Sequence, residues 1–261
     1  MEIIDYLKEA IDKITPEVEA KEIGHVLEVK DGTVRAAGLK NVGALEIVQF
    51  EETEIFGLAL NLEEDEVGII ILGDDTKIRE GTVVKRTKKV LSIPVGEGLL
   101  GRVINPLGQP LDDKGEISSK DFYPLERTGP SVVEREPVNF PLHTGIKLID
   151  ALIPIGRGQR ELILGDRITA KDSLVIDAIL NQKNEPKRPI CIYVAIGQKE
   201  AQLARTIKIF KKFKADEYTI VVAAAANEPA SFWYLAPYAG CAIGEYFMHQ
   251  GKDVLVVYDD L

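Results

Sequence analysis

In the second half of the chain, strand-length apolar runs at 161–164, 190–196, 219–226 and 254–258 alternate with helix-length segments. At 172–181, Leu174, Ile176, Ala178, Ile179 and Leu180 suit a helix buried on most sides. At 200–213, Leu203, Ile207 and Phe210 share one helical face, while Lys208, Lys211 and Lys212 point mostly outward. A third helix is predicted over 237–250, with Pro237 in its first turn, where the missing N–H leaves no bond unmade. A chain that alternates strand and helix in this way has few means of burying its apolar faces. The pattern predicts a doubly wound α/β domain around a parallel sheet. A shorter helical pattern at 146–153 precedes it.

The first half has a different texture. Short apolar runs at 23–29, 33–37, 45–50, 55–60, 67–72 and 90–93 are separated by turn residues such as Asp31-Gly32, Gly38, Gly43 and Gly73-Asp74-Asp75. Closely spaced strands with this punctuation predict a small antiparallel β-barrel. Residues 94–145 are rich in Gly and Pro yet carry Leu99, Leu100, Val103 and Ile104, which predicts irregular but packed chain. At the start, Ile3, Ile4, Leu7, Ile11 and Ile14 recur at helical spacing until Thr15-Pro16. The predicted fold class is therefore α/β plus all-β. A helix or extension at 1–21 leads into a barrel at 22–93 and an α/β domain at 94–261. The last strand runs directly into Asp259-Asp260-Leu261, an odd place for a sheet to finish, and this predicts a truncated part of a longer chain.

Charge and composition exclude several classes. Acidic residues number 42 against 32 basic ones, a net charge of −10, whereas non-specific nucleic-acid binding needs a basic face. The two cysteines, Cys191 and Cys241, and the three histidines, His25, His143 and His249, are scattered without metal-ligand spacing. No apolar run approaches the roughly 20 residues of a membrane span. The opening MEIIDYLKEA has acids where a secretory signal has bases. By itself the chain reads as soluble and cytoplasmic.

The run at 161–164 leads into Gly165-Asp166-Arg167-Ile168-Thr169-Ala170-Lys171-Asp172-Ser173 and then a predicted helix. A strand and helix joined by G-x-x-x-x-G-K-[ST] cradle phosphates: loop and helix N–H groups surround the anion, the lysine neutralises it, and the hydroxyl ligates magnesium. Gly165 and Lys171 fit. Ala170 stands where the second glycine belongs, and costs on the order of 1 kcal/mol if that position needs positive φ. Asp172 replaces the hydroxyl, and its charge lies beside the phosphates unless a metal intervenes. Ser173 brings a hydroxyl one residue late, rotated by roughly 100° away. The candidate binding residues are thus Gly165, Asp166, Arg167, Ile168, Thr169, Ala170, Lys171 and Asp172, with Asp172 and Asp259, the acid ending the last strand, as candidate metal ligands.

Further motifs run in order along the chain. They are Ala59-Leu60-Asn61-Leu62-Glu63-Glu64-Asp65 with Val67-Gly68, Gly73-Asp74-Asp75, Gly145-Ile146-Lys147 through Asp150, and Pro154-Ile155-Gly156-Arg157-Gly158-Gln159-Arg160-Glu161-Leu162. Then come Gly165-Asp166-Arg167, Val194-Ala195-Ile196-Gly197-Gln198-Lys199, Tyr234-Leu235-Ala236-Pro237-Tyr238 and Gly244-Glu245-Tyr246-Phe247. From about residue 22 to residue 261 the chain resembles the alpha subunits of F-type ATP synthases. The resemblance implies a β-barrel, a P-loop nucleotide-binding domain that is incomplete here, and a C-terminal helical domain that is absent. It implies a ring of alternating alpha and beta subunits around a central shaft, with a peripheral stalk and a membrane proton channel. The location would be peripheral, on the cytoplasmic face of the plasma membrane or an equivalent energy-coupling membrane.

In such a ring alpha sites bind Mg-ATP without turning it over, so no residue here is assigned a catalytic role. Gln198 matches the alpha-type glutamine where the catalytic relative carries glutamate, and a neutral amide is a poor base. The alpha loop normally reads Gly-Asp-Arg-Gln-Thr-Gly-Lys-Thr. Ile168, Ala170 and Asp172 depart from it, which predicts weakened Mg-ATP binding. Two competing readings are an alpha-like interaction module that has lost nucleotide, and a self-sufficient NTPase or ring helicase. Gln198 and the altered loop speak against the latter.

Overall fold

The computed structural model describes residues 22–261 apart from Glu52, Glu54, Arg167 and Ile168, so the helix expected near the start lies outside the described residues. Six strands close into a barrel: β1 (Ile23–Lys30), β2 (Thr33–Ala37), β3 (Glu46–Phe50), β4 (Phe56–Leu62), β5 (Glu66–Leu72) and β6 (Val83–Val90). Their order around the barrel is β1-β2-β5-β4-β3-β6, with all neighbours antiparallel. Closure leaves no free strand edge. Asp31 and Gly32 both have positive φ, the backbone that a tight β-hairpin turn demands. Alternate side chains, among them Val26, Val34, Val48, Phe50, Ile69, Ile71 and Val84, fill the interior.

The sixth barrel strand differs from the expected one. The run at 90–93 straddles a boundary: Val90 ends β6, and Ser92–Val95 is a separate strand, β7. In β6 the alternation is hidden by Lys85, Arg86, Lys88 and Lys89. Arg86 is there for a partner. It donates to both oxygens of Glu46, at 2.9 and 2.7 Å, and to Glu22 at 2.8 Å. Glu46, only 5% exposed, also accepts from the N–H groups of Gly43 and Lys88. A buried carboxylate is tolerable only when its lone pairs are filled in this way.

Beyond β7 come β8 (Val103–Ile104), β9 (Asp121–Pro124), β10 (Pro141–Leu142) and β11 (Ile155–Gly156), with helix α1 (Lys147–Leu152) before β11. The α/β unit then runs α2 (Lys171–Asn181), β12 (Ile190–Gln198), α3 (Glu200–Phe213), β13 (Thr219–Ala225), α4 (Ala230–His249) and β14 (Val254–Asp259). Its sheet has the order β14-β12-β13-β8, and every pair is parallel. The architecture is thus the expected one, an antiparallel barrel followed by a parallel-sheet α/β unit.

Three local expectations are corrected. Residues 161–164 form no strand, and Leu162 and Leu164 are 73% and 83% exposed. A lone strand cannot satisfy its own N–H and C=O groups, and β14, an edge strand of the sheet, pairs with β12 alone. Helix α2 fully buries only Ile179; Ser173, Asp177 and Asn181 are exposed and the rest are half-buried. Helix α4 begins at Ala230, so Pro237 lies inside it rather than in its first turn. An interior proline costs about 3 kcal/mol. Burying Phe232, Leu235, Ile243 and Phe247 against the sheet offsets that, at roughly 1.5–3 kcal/mol each. Although α4 is apolar, among the described residues no helix is long and apolar enough to cross a membrane.

The Glu46 carboxyl is held below its ordinary value of 4.5, chiefly by its bonds from Arg86. Because the folded-state value is the lower one, this stabilisation is complete above the ordinary carboxylate range and is lost as pH falls through the folded value. Glu46→Gln is expected to cost about 1.5–3 kcal/mol at neutral pH and to make the loss of stability below pH 4.5 shallower. Urea unfolding from pH 7 to pH 3 reads both, and parallel pH profiles for the two proteins would contradict this role of the pair.

Candidate functional site

The loop of 165–170 ends at the first residue of α2. Ala170 precedes the helix with φ 56° and ψ 24°, in the left-handed region, and has no side-chain cap. The position occupied by alanine does therefore need positive φ. The Ala170 carbonyl accepts from the N–H groups of Ser173 and Leu174, which starts the helix. Thr169 folds back, its hydroxyl donating to the Asp166 carbonyl at 2.7 Å. Its side chain lies where a Cβ on residue 165 would stand, so a side chain there would force Thr169 to move. Arg167 and Ile168 fall outside the described residues.

Lys171 is the first residue of α2, and its Nζ donates to Asp260 Oδ2 at 3.0 Å. That bond raises the lysine's pKa, with smaller contributions from the charges of Asp172 and Asp259. The loop cation is thus brought to the end of β14, where the sequence placed the candidate metal ligand Asp259. Asp172 is engaged from another direction, accepting from Gln202 Nε2 on α3 at 2.9 Å. Ser173 is exposed.

At the strand ends, Asp259 is 7% exposed and Gln198 8%. Side chains alternate along β12, so an unbroken strand would put Gln198 on the face of Val194 and Ile196. A bulge between Ile196 and Gln198, with Gly197 at φ 63°, turns it to the opposite face. There Gln198 Nε2 donates to the Asp259 carbonyl and to the Tyr193 hydroxyl, both at 3.2 Å. The Tyr193 hydroxyl in turn donates to Asp259 Oδ2 at 2.5 Å. Burial first, and then Asp259, push the phenol far above its ordinary range, so it stays a donor.

Sequence reasoning found Gln198 and Asp259 but missed Tyr193. The available signal was a tyrosine in an otherwise apolar strand, whose buried hydroxyl requires a partner.

The donor set suits a magnesium-bound polyphosphate. A lysine at a helix N-terminus could take the anion. Among the described residues no three His, Cys, Asp or Glu side chains converge as a metal site. An ion held beside Asp259 would complete its shell with water and phosphate oxygens, which is how Mg²⁺ is usually bound. No carboxylate stands at position 198 to serve as a base toward an attacking water.

Both parts of the chain resemble known proteins. Residues 20–88 match the family model "ATP synthase alpha/beta family, beta-barrel domain". Residues 145–261 match "ATP synthase alpha/beta family, nucleotide-binding domain". The chain is 60% identical over 246 residues to "ATP synthase subunit alpha" of Petrotoga mobilis, an alignment covering 93% of this chain and 48% of that protein. It is 55% identical over 260 residues to the protein of the same name from Caldanaerobacter subterraneus subsp. tengcongensis, covering 100% of this chain and 51% of that one. The chain therefore spans about half the length of these curated relatives.

Replacing Ala170 with glycine relieves a left-handed backbone that costs a non-glycine residue roughly 1–2 kcal/mol, against about 0.4–1 kcal/mol of added unfolded-state freedom. Ala170→Gly is expected to stabilise the chain by about 0.5–1 kcal/mol in urea unfolding. A less stable variant would sink the strain account of this loop.

Proposed function

We propose that this chain, which belongs to the ATP synthase alpha/beta family, serves as the non-catalytic alpha-type subunit of an F-type ATP synthase. Its place is between beta subunits in the alternating ring around the central shaft, braced by the peripheral stalk. That ring makes ATP from ADP and phosphate when protons cross the membrane channel. The chain joins it peripherally, at the cytoplasmic face of the energy-coupling membrane, and takes no nucleic acid. The barrel of 22–93 and the α/β part of 94–261 act as its domains here.

The observation that carries this reading is Gln198 held against Asp259 at the ends of β12 and β14. Gln198 is buried there, and its neutral amide would be a poor base toward an attacking water. Nucleotide is bound and left intact. Lys171 and the loop N–H groups of 165–172 would hold the phosphates of Mg-ATP, and Asp259 with Asp172 would face the metal; magnesium supplies charge neutralisation there. Binding is weak for two reasons. Ala170 holds a strained backbone, and the charge of Asp172 stands beside the phosphates.

Titration calorimetry with Mg-ATP tests this reading. The parent chain is expected to bind weakly and to release no phosphate. Lys171→Ala should remove binding, and Ala170→Gly with Asp172→Thr should tighten it at least tenfold. Phosphate release that disappears with Lys171→Ala would overturn the non-catalytic assignment. No affinity in either folded background would select the interaction-module reading instead.

A further inference from the structure

Tyr193 lies in the middle of β12 and is fully buried, its ring edge-on to Phe210 of α3 with centroids 5.7 Å apart. Across the ladder it stands opposite Val257, while Ala195 stands opposite Asp259. The small Ala195 side chain leaves the sheet surface open between them. The phenol uses that opening to reach diagonally to Asp259 Oδ2 at 2.5 Å. Gln198 Nε2 donates to the same hydroxyl at 3.2 Å. The three side chains make a directed chain, Gln198 to Tyr193 to Asp259. Its last bond occupies one carboxylate oxygen, while Asp259 Oδ1 carries no hydrogen bond among those described.

We propose that Tyr193 is a positioning residue for the metal-facing carboxylate: by holding Oδ2 of Asp259 it leaves Oδ1 as the oxygen presented to the water shell of a nucleotide-bound magnesium ion. Phe210 fixes the ring from behind and Gln198 fixes the direction of the hydroxyl proton. Without the hydroxyl, the carboxylate is free to rotate about its side-chain bonds, and Lys171 lies close enough for its charge to matter. This inference rests on the reading of the site as a Mg-ATP site.

The test is Tyr193→Phe, which keeps the ring and its contact with Phe210 and removes only the hydroxyl. It is made in the full chain, in both the parent and the Ala170→Gly/Asp172→Thr backgrounds. Trinitrophenyl-ATP fluorescence is titrated with nucleotide in EDTA, and with Mg²⁺ at fixed nucleotide. The expected result is an unchanged affinity in EDTA and a roughly tenfold higher Mg²⁺ concentration at half-enhancement, about 1.4 kcal/mol. A merely structural role would weaken both titrations together, and that result, or an unchanged Mg²⁺ midpoint in a folded variant, overturns the proposal. If the unsubstituted chains bind no nucleotide, the reading of the site fails. Crystal structures of the parent and Tyr193→Phe then decide the positioning directly: a rotated Asp259 carboxylate supports it, and an unmoved one overturns it.

Discussion

The hydrogen-bond ladder of β12 is the constraint on which the site depends. β12 pairs along both edges, with β13 on one side and β14 on the other. Its register sets Ala195 against Asp259 and Tyr193 against Val257. A slip of one residue would turn every one of these side chains to the other face. The apolar residues of both faces prevent that slip: Ile192 and Val194 pack under α4, while Cys191, Tyr193 and Ala195 pack beneath α3. The polar chemistry at the strand ends is thus held by an apolar sheet several residues away. Only the bulge at Gly197 departs from the regular ladder, and it is what delivers Gln198 to Asp259.

At the loop the controlling quantity is charge. Lys171 sits among Asp172, Asp259 and Asp260, so its surroundings are already anionic without any phosphate. Two of these acids have partners of their own, Gln202 for Asp172 and Tyr193 for Asp259. An incoming polyphosphate would have to displace Asp260 from Lys171, and the exposed position of Asp260 would make that exchange inexpensive. A divalent cation would help by screening the remaining acids. On the proposed reading, metal and nucleotide would be coupled at this loop by electrostatics.

Much of this was legible in the sequence, for physical reasons that differ from element to element. Helix α3 was readable to the residue because Leu203 and Phe210 face inward and its lysines outward, a strong period with little competing context. The hairpin at Asp31-Gly32 was readable because the backbone it needs admits few residue types. Strand β6 was not, because its charged residues break the alternation, and Arg86 makes sense only with Glu46, forty positions away, in view. The interior place of Pro237 was hidden for a similar reason: the burial that outweighs the proline comes from β12 and β13, not from the helix itself. The run at 161–164 has the composition of a strand but no partner to pair with. At the site, Gln198, Lys171 and Asp259 stood out by motif, whereas Tyr193 needed the register of two strands before its bond to Asp259 could be seen.

The barrel and the α/β unit do not keep separate apolar interiors. Leu58 and Leu72 of the barrel belong to one cluster with Ile220, Val222, Phe232 and Leu235. Leu45, Leu58 and Leu91 line one side of a small apolar gap whose other side is Leu125, Tyr234, Leu235 and Tyr238. Opening the barrel would strip water-excluding cover from α4, and loosening α4 would uncover the barrel. Heat should therefore melt the two halves in a single cooperative step, and damage to either would be felt as lost calorimetric enthalpy in both.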